Sequence, residues 1–300
     1  MVRSSHAHER TPVGEAAMCE FCHKHGDGKK WYLQAKNYSM DMLRDAERRK
    51  FMSEFVESSV KEGAHIPEQL GKLRRAPRLL RWFFTRRTER WMKRMHYGQI
   101  VPVEDIEAIF EIANSIVRIP CVCRKAILGK SPAFCMAIST IPILFDSVKK
   151  MFITAGKDAP LFNGPEVSSV EKLTKESAVA LLRDFEKDGL VHSVWTFKTP
   201  FIGGICNCDR SGCLAMKAFE GGINCFFRAE YIAEVDPDLC KGCRSCVKQC
   251  QFGAMYFDPT NRKVLIEKEK CFGCGICRAL CAHNAITLAP REAGFEAVVH

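Results

Sequence analysis

Two runs of four cysteines near the C-terminal end of this chain constrain its fold more than any other feature. The first run is Cys240, Cys243, Cys246 and Cys250, and the second is Cys271, Cys274, Cys277 and Cys281. Both have the spacing C-x2-C-x2-C-x3-C, in which three thiolates on one tight loop can bind three irons of a cubane while the fourth cysteine reaches a second cubane. The spacing therefore predicts two [4Fe-4S] clusters.

The two runs belong to an internal repeat. The segments LCKGCRSCVKQCQFGAMYF and KCFGCGICRALCAHNAITL align with an offset of thirty-one residues, the separation of Cys240 from Cys271, so each half is one supersecondary unit that needs its twin. This part of the chain resembles the two-cluster bacterial-type ferredoxin domain. The resemblance implies two ligand sets, which are Cys240, Cys243 and Cys246 with Cys281, and Cys271, Cys274 and Cys277 with Cys250.

Two residues depart from the ferredoxin pattern, which usually places proline after the fourth cysteine. Gln251 and Ala282 stand at these positions. The departure concerns the local turn and removes no ligand, because proline fixes a backbone angle and lacks an N–H rather than binding iron. Zinc is the alternative metal, since CxxC pairs also form tetrahedral sites, but zinc sites seldom use two complete quartets with this spacing.

The composition favours a cytoplasmic metalloprotein or redox protein. The chain has 47% hydrophobic and 27% charged residues, which suits two or more compact domains. Its first eighteen residues lack an apolar export segment, and the longest apolar stretch, around 133–145, is too short to span a membrane. Seventeen cysteines without an export signal indicate metal or redox use rather than disulfides.

A second group of cysteines lies upstream, after two segments with similar patterns. In the first segment, helical spacing of Ile106, Ile109 and Phe110 precedes the CxC pair of Cys121 and Cys123. In the second, a predicted helix from Thr174 to Asp188 is followed by the strand LVHSVWTF and then by the CxC pair of Cys206 and Cys208. Two such units suggest a pseudo-duplicated α/β domain that brings both pairs together. The predicted third metal site comprises Cys121, Cys123, Cys206, Cys208 and Cys213. Iron–sulfur is favoured over zinc there, whereas Cys135 and Cys225 are interpreted as small buried hydrophobes.

The N-terminal segment CEFCHKHGDGKKWYL holds a weaker candidate site. Its ligands would be Cys19, Cys22, His23 and His25, which would suit a small zinc knuckle. The literal C-x-x-C-H haem-attachment pattern belongs to exported proteins, so it is disfavoured here. A redox-sensitive pair and an inert pair both stay open.

Residues 72–98 concentrate the positive charge of the chain. The segment has ten Lys or Arg residues against the single acid Glu89, and it therefore supplies +9 of the total formal charge of +10. Leu80, Phe84 and Trp91 can share an apolar face, and Pro77 marks a helix start or a break. Docking of an acidic redox partner and a solvated helix face are the favoured interpretations, with nucleic acid or a membrane surface less favoured.

These patterns predict an α+β protein with a helical N-terminal part, an α/β middle domain containing the CxC pairs and a C-terminal ferredoxin-like dicluster domain. The predicted ranges are a Cys/His segment 1–36, a basic helical region 37–100, the CxC domain 101–229, the ferredoxin domain 230–292 and a tail 293–300. The whole chain also resembles poorly characterised prokaryotic 4Fe-4S binding proteins. The segments that carry this resemblance are CHKHGDGKKWYL, GLVHSVW to ICNC, and AEYIAEVDPDLCKGCRSCVKQCQFGA.

The predicted function is electron transfer, in which single electrons pass between partner oxidoreductases through two [4Fe-4S] clusters. We expect a carrier or an electron-transfer subunit more than a free-standing enzyme, because the GxGxxG and P-loop signatures of organic cofactors are absent. The alternatives are a reductase or reductase subunit with a third cluster in the CxC domain, and a redox-sensing nucleic-acid binder.

Overall fold

The computed structural model describes residues 18–142, 148–150, 152 and 161–291. Within them the chain forms a helical N-terminal part, a seven-stranded sheet with helices on both sides, and a C-terminal unit of two small sheets. The predicted α+β class is confirmed. The predicted tail 293–300, the leading residues 1–17 and the last residues of the apolar stretch, 143–145, lie outside the described residues.

The N-terminal part consists of five helices and two short 3-10 turns in its described portion. The helices are α1 (Glu20–Gly26), α2 (Met40–Arg44), α3 (Ala46–Gly63), α4 (Ile66–Arg75) and α5 (Arg78–Met95), and the 3-10 turns are Trp31–Leu33 and Ala35–Tyr38. Asp45 begins α3 by accepting a hydrogen bond from the Arg48 N–H at 3.1 Å. Pro77 directly precedes α5, which confirms the prediction that it marks a helix start.

The middle of the chain builds one sheet in the order β4-β2-β3-β6-β5-β1-β7. Its strands are β1 (Gly98–Ile100), β2 (Ser115–Ile119), β3 (Cys135–Ser139), β4 (Glu171–Leu173), β5 (Val191–Thr196), β6 (Ile202–Cys208) and β7 (Phe226–Phe227). The described helices that cover it are α6 (Val103–Ile112), α7 (Val122–Leu128), α8 (Gly164–Ser168), α9 (Lys175–Lys187) and α10 (Leu214–Glu220). Only the β1–β7 pair is parallel among the described pairings.

Two of these helices follow the sequence pattern closely. Ile106, Ile109 and Phe110 form the buried face of α6. The Thr174 hydroxyl caps α9 by accepting from the Ser177 N–H at 3.2 Å, and Gly189 follows the helix with a φ of 77°. The chain then enters β5, all six residues of which are buried because elements cover both faces of the sheet.

The N-terminal Cys/His segment packs into the core of the sheet. Trp31 and Tyr32 are fully buried, and they share one hydrophobic cluster with Tyr97, Phe110 and other core residues. The ring of Phe21 lies edge-on to Trp31, with centroids 5.2 Å apart. These contacts hold the segment against the middle domain.

The C-terminal unit contains two small antiparallel sheets of two strands each. Strand β8 (Tyr231–Val235) pairs with β11 (Ile286–Pro290), and β9 (Met255–Asp258) pairs with β10 (Lys263–Ile266), both antiparallel. Helices α11 (Ser245–Gln249) and α12 (Ile276–Ala279) follow the cysteine loops, and a 3-10 turn lies at Lys268–Lys270. Each of the four strands is four or five residues long.

The C-terminal unit packs directly on the middle domain. Phe272 and Ile276 are buried in a cluster with Trp195 and Phe226 of the large sheet. The Arg278 guanidinium forms an ion pair with Glu104 at 2.5 Å, and α12 lies against α9. Among the described residues, no helix has both the length and the apolar character that crossing a membrane requires.

We predict that Phe110→Ala lowers the free energy of unfolding by about 3–5 kcal/mol, because the buried ring leaves a cavity between α6 and the sheet. Leu128→Ala is the control, since that side chain is 43% exposed, and its effect should stay within about 0.5 kcal/mol. Urea unfolding under anaerobic conditions measures both. Equal effects of the two substitutions would contradict this description of the core.

Candidate metal centres

One quartet of cysteines surrounds a small enclosed cavity in the C-terminal unit. Its lining includes Cys250, Cys271, Cys274 and Cys277. Cys250 lies at the end of α11, in the first repeat, whereas the other three belong to the loop before α12 and to its first turn. The structure therefore brings together the four residues of one implied ligand set, across the two repeats.

The second quartet lies closer to the surface. Cys281 follows α12, which packs against α11, the helix that carries Cys246, so the fourth cysteine of the second repeat lies near the first loop. Burial raises the pKa of Cys246 to about 11, whereas the Ser245 N–H lowers the pKa of the exposed Cys243. Cys240 and Cys281 belong to the same hydrophobic cluster.

Backbone N–H groups point at the sulfur atoms of both quartets. The Ala254 N–H donates to Cys250 Sγ at 3.2 Å, and the equivalent Ala285 N–H donates to Cys281 Sγ at 3.3 Å. Val264 and Ala233 donate in the same way to Cys240 and Cys271, both at 3.5 Å. Such donors offset the negative charge of cluster thiolates. The donor sets and their surroundings fit two [4Fe-4S] clusters.

Two equivalent glycines allow the cysteine loops to pack closely against neighbouring backbone. Gly242 and Gly273 have φ values of 66° and 68°. A Cβ would lie 2.3 Å from the Arg262 carbonyl oxygen at Gly242 and 2.2 Å from the Tyr231 carbonyl oxygen at Gly273. Both the left-handed conformation and the close approach require glycine.

The two loops differ in exposure. Cys243 and its neighbours Lys241, Arg244 and Ser245 are exposed. In the second loop, Phe272 is 3% exposed because it packs against the middle domain. The first cysteine loop is therefore exposed at the surface, and the second is covered by the middle domain.

Gln251, which replaces the usual proline, forms hydrogen bonds that hold the two units together. Its side chain donates to the Gly189 carbonyl at 3.2 Å and accepts from the Arg210 N–H at 3.1 Å. Proline could make neither contact. The departure from the ferredoxin pattern thus serves docking of the C-terminal unit on the middle domain.

Six cysteines form a ring of thiols in the middle domain. Each of them perturbs the pKa values of two neighbours, in the closed order Cys121, Cys123, Cys213, Cys208, Cys206 and Cys135. The structure thus brings together all five cysteines of the predicted third site. It adds Cys135, which the sequence analysis interpreted as a lone hydrophobe, whereas Cys225 lies nearby and donates to the Ala215 carbonyl instead.

Local structure explains how these thiols meet. Cys121 and Cys213 directly precede α7 and α10, while Cys206 and Cys208 are two residues apart on β6 and so share one face of the sheet. Cys135 begins the neighbouring strand β3. Because pairing of β3 with β6 joins residues far apart in sequence, the spacing of Cys135 gave no signal of its role.

Arg124 is the cation beside this ring. Its guanidinium donates to Cys121 Sγ at 3.8 Å and pairs with Asp209 at 2.6 Å. Although burial opposes it, interaction with the Cys121 and Cys208 thiolates raises the pKa of Arg124 above its ordinary value. Hydrogen bonds from Cys123 and Cys135 hold the pKa of Cys121 well below its usual range. By contrast, hydrogen bonds with neighbouring thiols and burial raise the pKa values of Cys123, Cys135 and Cys206 well above their usual range.

The N-terminal cysteines meet a carboxylate rather than the predicted histidines. Cys19 Sγ lies 3.3 Å from Cys22 Sγ, which lies 3.2 Å from Glu230 Oε1. Gln99 completes the group, since its oxygen is 3.4 Å from Cys19 Sγ. His23 is exposed, and the half-buried His25 packs edge-on against Phe21. Among the described residues, the ligand group at this position is Cys19, Cys22 and Glu230.

Comparison with known families identifies the C-terminal unit. Residues 239–285 match the model of the 4Fe-4S dicluster domain. The chain carries a 4Fe-4S dicluster domain. The predicted ferredoxin-type unit, its two [4Fe-4S] clusters and an electron-transfer role are confirmed.

Three curated relatives share only short segments with this chain. An archaeal-type glutamate synthase (NADPH) from Thermotoga sp. (strain RQ2) is 34% identical over 71 residues, which are 24% of this chain and 14% of the relative. The IorA subunit of indolepyruvate oxidoreductase from Pyrococcus abyssi is 35% identical over 54 residues, or 18% and 8% of the two chains. The beta subunit of chlorate reductase from Ideonella dechloratans is 37% identical over 81 residues, or 25% and 21%. The chain thus spans less than a quarter of each relative.

We predict that Gly273→Ala reduces the iron bound by the C-terminal unit by about four atoms per chain, because the added methyl group displaces the loop that carries Cys271 and Cys274. The matched control is Gly253→Ala. Gly253 has a similar φ of 65° but no atom within 4 Å of the added methyl group.

Iron analysis of the anaerobically purified variants measures this difference. The control should retain its iron and lose only about 1 kcal/mol of stability through backbone strain. Retention of full iron by Gly273→Ala would show that the close approach does not matter for the cluster loop.

Proposed function

We propose that this chain is an electron-transfer subunit or carrier that passes single electrons between an oxidoreductase donor and an acidic acceptor protein, which docks on the basic segment 72–98. The observation that carries the proposal is the crossed arrangement of two cysteine quartets with backbone N–H groups directed at their sulfurs. Bound there, [4Fe-4S] clusters supply one-electron redox chemistry at potentials tuned by burial and by hydrogen bonds to sulfur.

In this proposal Cys240, Cys243, Cys246 and Cys281 hold one cluster, and Cys250, Cys271, Cys274 and Cys277 hold the other. The two sites would have different roles because their surroundings differ. The exposed loop around Cys243 suits exchange with the donor, whereas the quartet beside Phe252 and Phe272 lies near Arg74 and would exchange with the acceptor docked on the basic segment. Fixed backbone donors keep both sites rigid, which lowers the reorganisation that accompanies a change in charge.

The helix α5 has the properties of a docking surface. None of its described side chains is buried, and its large apolar side chains Trp82, Phe83, Phe84 and Trp91 are 49–56% exposed. Arginines flank them on the same helix. An exposed apolar patch mixed with positive charge is typical of an interaction site for a partner with complementary acidic groups.

The basic segment also approaches the buried quartet. Arg74 lines a surface pocket with Phe219 and Phe252, and Phe252 in turn lines the cavity of Cys250 and Cys271. A protein bound over Arg74 would therefore lie near a redox centre. Complementary charge raises the rate of encounter and orients the partner.

We predict that replacing Arg81, Arg86, Arg87 and Arg90 by Gln slows electron exchange with flavodoxin, used as an acidic protein probe, by about tenfold at low salt. Replacement of the same four residues by Lys is the control and should retain most of the rate, because it retains the charge. Stopped-flow absorbance of the reduced chain measures both variants. Exchange with a neutral quinone should be equal in all of them.

Equal rates in the Gln and Lys variants, or rates that do not depend on salt, would contradict docking on α5. The nucleic-acid alternative predicts a different result. Salt-dependent binding of the chain to duplex DNA that is lost in the Gln variant, with no change in electron exchange, would favour a redox-sensing nucleic-acid binder.

A further inference from the structure

The six-cysteine ring of the middle domain is a dense cluster of buried ligand atoms that the dicluster domain does not use. Four of its cysteines, Cys121, Cys135, Cys208 and Cys213, are at most 7% exposed. Cys206 and Cys208 lie on β6, beside the strand β3 that Cys135 begins, and each of the six thiols perturbs the pKa values of two others. Buried cysteines that act only as hydrophobes need apolar neighbours, not a closed ring of other thiols.

The loop that carries Cys208 and Cys213 is built to hold a charged group beside the ring. Asp209 accepts hydrogen bonds from the Ser211 and Gly212 N–H groups, at 2.8 and 3.0 Å, and also binds the Arg124 guanidinium. A Cβ on Gly212 would lie 2.6 Å from Arg124 Cγ, so glycine is required for Arg124 to reach Cys121. The loop therefore positions a cation where thiolates would carry negative charge.

A cluster of phenylalanines joins this ring to the buried quartet of the dicluster domain. Cys208 and Cys213 share one hydrophobic cluster with Phe226 and Phe272. The rings of Phe226 and Phe272 have centroids 5.6 Å apart, and Phe252 stacks on Phe272 at 4.0 Å. Phe252 and Phe272 both line the cavity of Cys250, Cys271, Cys274 and Cys277.

We propose that the ring formed by Cys121, Cys123, Cys135, Cys206, Cys208 and Cys213 binds a third iron–sulfur cluster, which four of the six thiolates hold. Arg124 lies beside it and compensates part of its charge. This inference goes beyond the two-cluster function proposed above, and it places a further redox centre in packed contact with the buried end of the dicluster domain.

The donor set and its position favour iron–sulfur over zinc. A structural zinc ion takes four ligands and exchanges no electrons, so the aromatic contact with the neighbouring centre would have no role. Iron–sulfur clusters also take four thiolates, and they can exchange electrons with a nearby cluster. The two remaining thiols would then be neighbours that donate hydrogen bonds to cluster sulfur.

The test is the iron, acid-labile sulfide and zinc content of the full chain, purified anaerobically. A third [4Fe-4S] cluster predicts about twelve irons and twelve sulfides per chain. About eight of each, with or without zinc, would overturn the proposal while leaving the dicluster domain intact.

Two variants assign the additional iron to a site. A triple variant carries Cys121→Ala, Cys206→Ala and Cys213→Ala, which leaves three thiols in the ring, too few for a four-cysteine cluster. Its iron content should fall to about eight atoms per chain. Cys225→Ala is the control, because this buried cysteine lies in the same hydrophobic cluster but outside the ring. The control should keep about twelve irons, and an equal content in the triple variant would overturn the proposal.

A second variant tests the same site in case the triple variant does not fold. Replacing Cys243, Cys246, Cys274 and Cys277 by Ala removes two ligands from each quartet and should leave about four irons in the chain. Complete loss of iron would contradict a third cluster. About four irons in the wild-type chain, lost in the triple variant, would instead indicate that the ring binds a cluster and that the dicluster domain does not.

Discussion

The structure depends on the close approach of backbone to sulfur in the two cysteine loops. Positive φ at Gly242 and Gly273 lets each loop lie against a carbonyl group of a neighbouring segment, where a Cβ would fit at neither position. The same packing brings the N–H groups of Val264 and Ala233, two residues beyond those carbonyl groups, to the thiols of Cys240 and Cys271. Because burial of negative charge costs free energy unless donors surround it, this geometry makes an apolar protein interior suitable for iron–sulfur ligands.

Docking of the dicluster domain on the middle domain makes its two halves unequal. The sequence repeat gives each half the same loop, but Phe272 is buried against the large sheet while the corresponding first loop around Cys243 is exposed. Gln251 strengthens this contact through its hydrogen bonds to Gly189 and Arg210. One cysteine loop is therefore exposed to solvent, and the other is covered by the middle domain.

Much of the fold could be predicted from local patterns. The helical spacing of Ile106 and Phe110, the Thr174 cap and the turn at Gly189 lie where the sequence indicates, because capping and periodicity are properties of neighbouring residues. The cysteine quartets were predictable for the same reason. Their spacing within one loop is the signal, and the repeat supplies the partner loop.

Other parts of the candidate sites depend on contacts between distant segments. Cys135 joins the ring only because β3 pairs with β6, and Glu230 reaches Cys22 across 208 positions of sequence. The spacing of the apolar residues of α5 indicated a common face, but it could not indicate what covers that face, and Phe84 and Trp91 are exposed.

The most direct test of the account is a reductive titration of the full chain followed by electron paramagnetic resonance. Two [4Fe-4S] clusters held by crossed quartets in one small unit predict signals of reduced clusters that broaden as the second cluster becomes reduced, since neighbouring spins interact. Replacement of Cys250 by Ala should weaken the signal of the buried site while retaining that of the exposed one. A chain that gives no reducible iron signal, or two signals that never interact, would contradict the account.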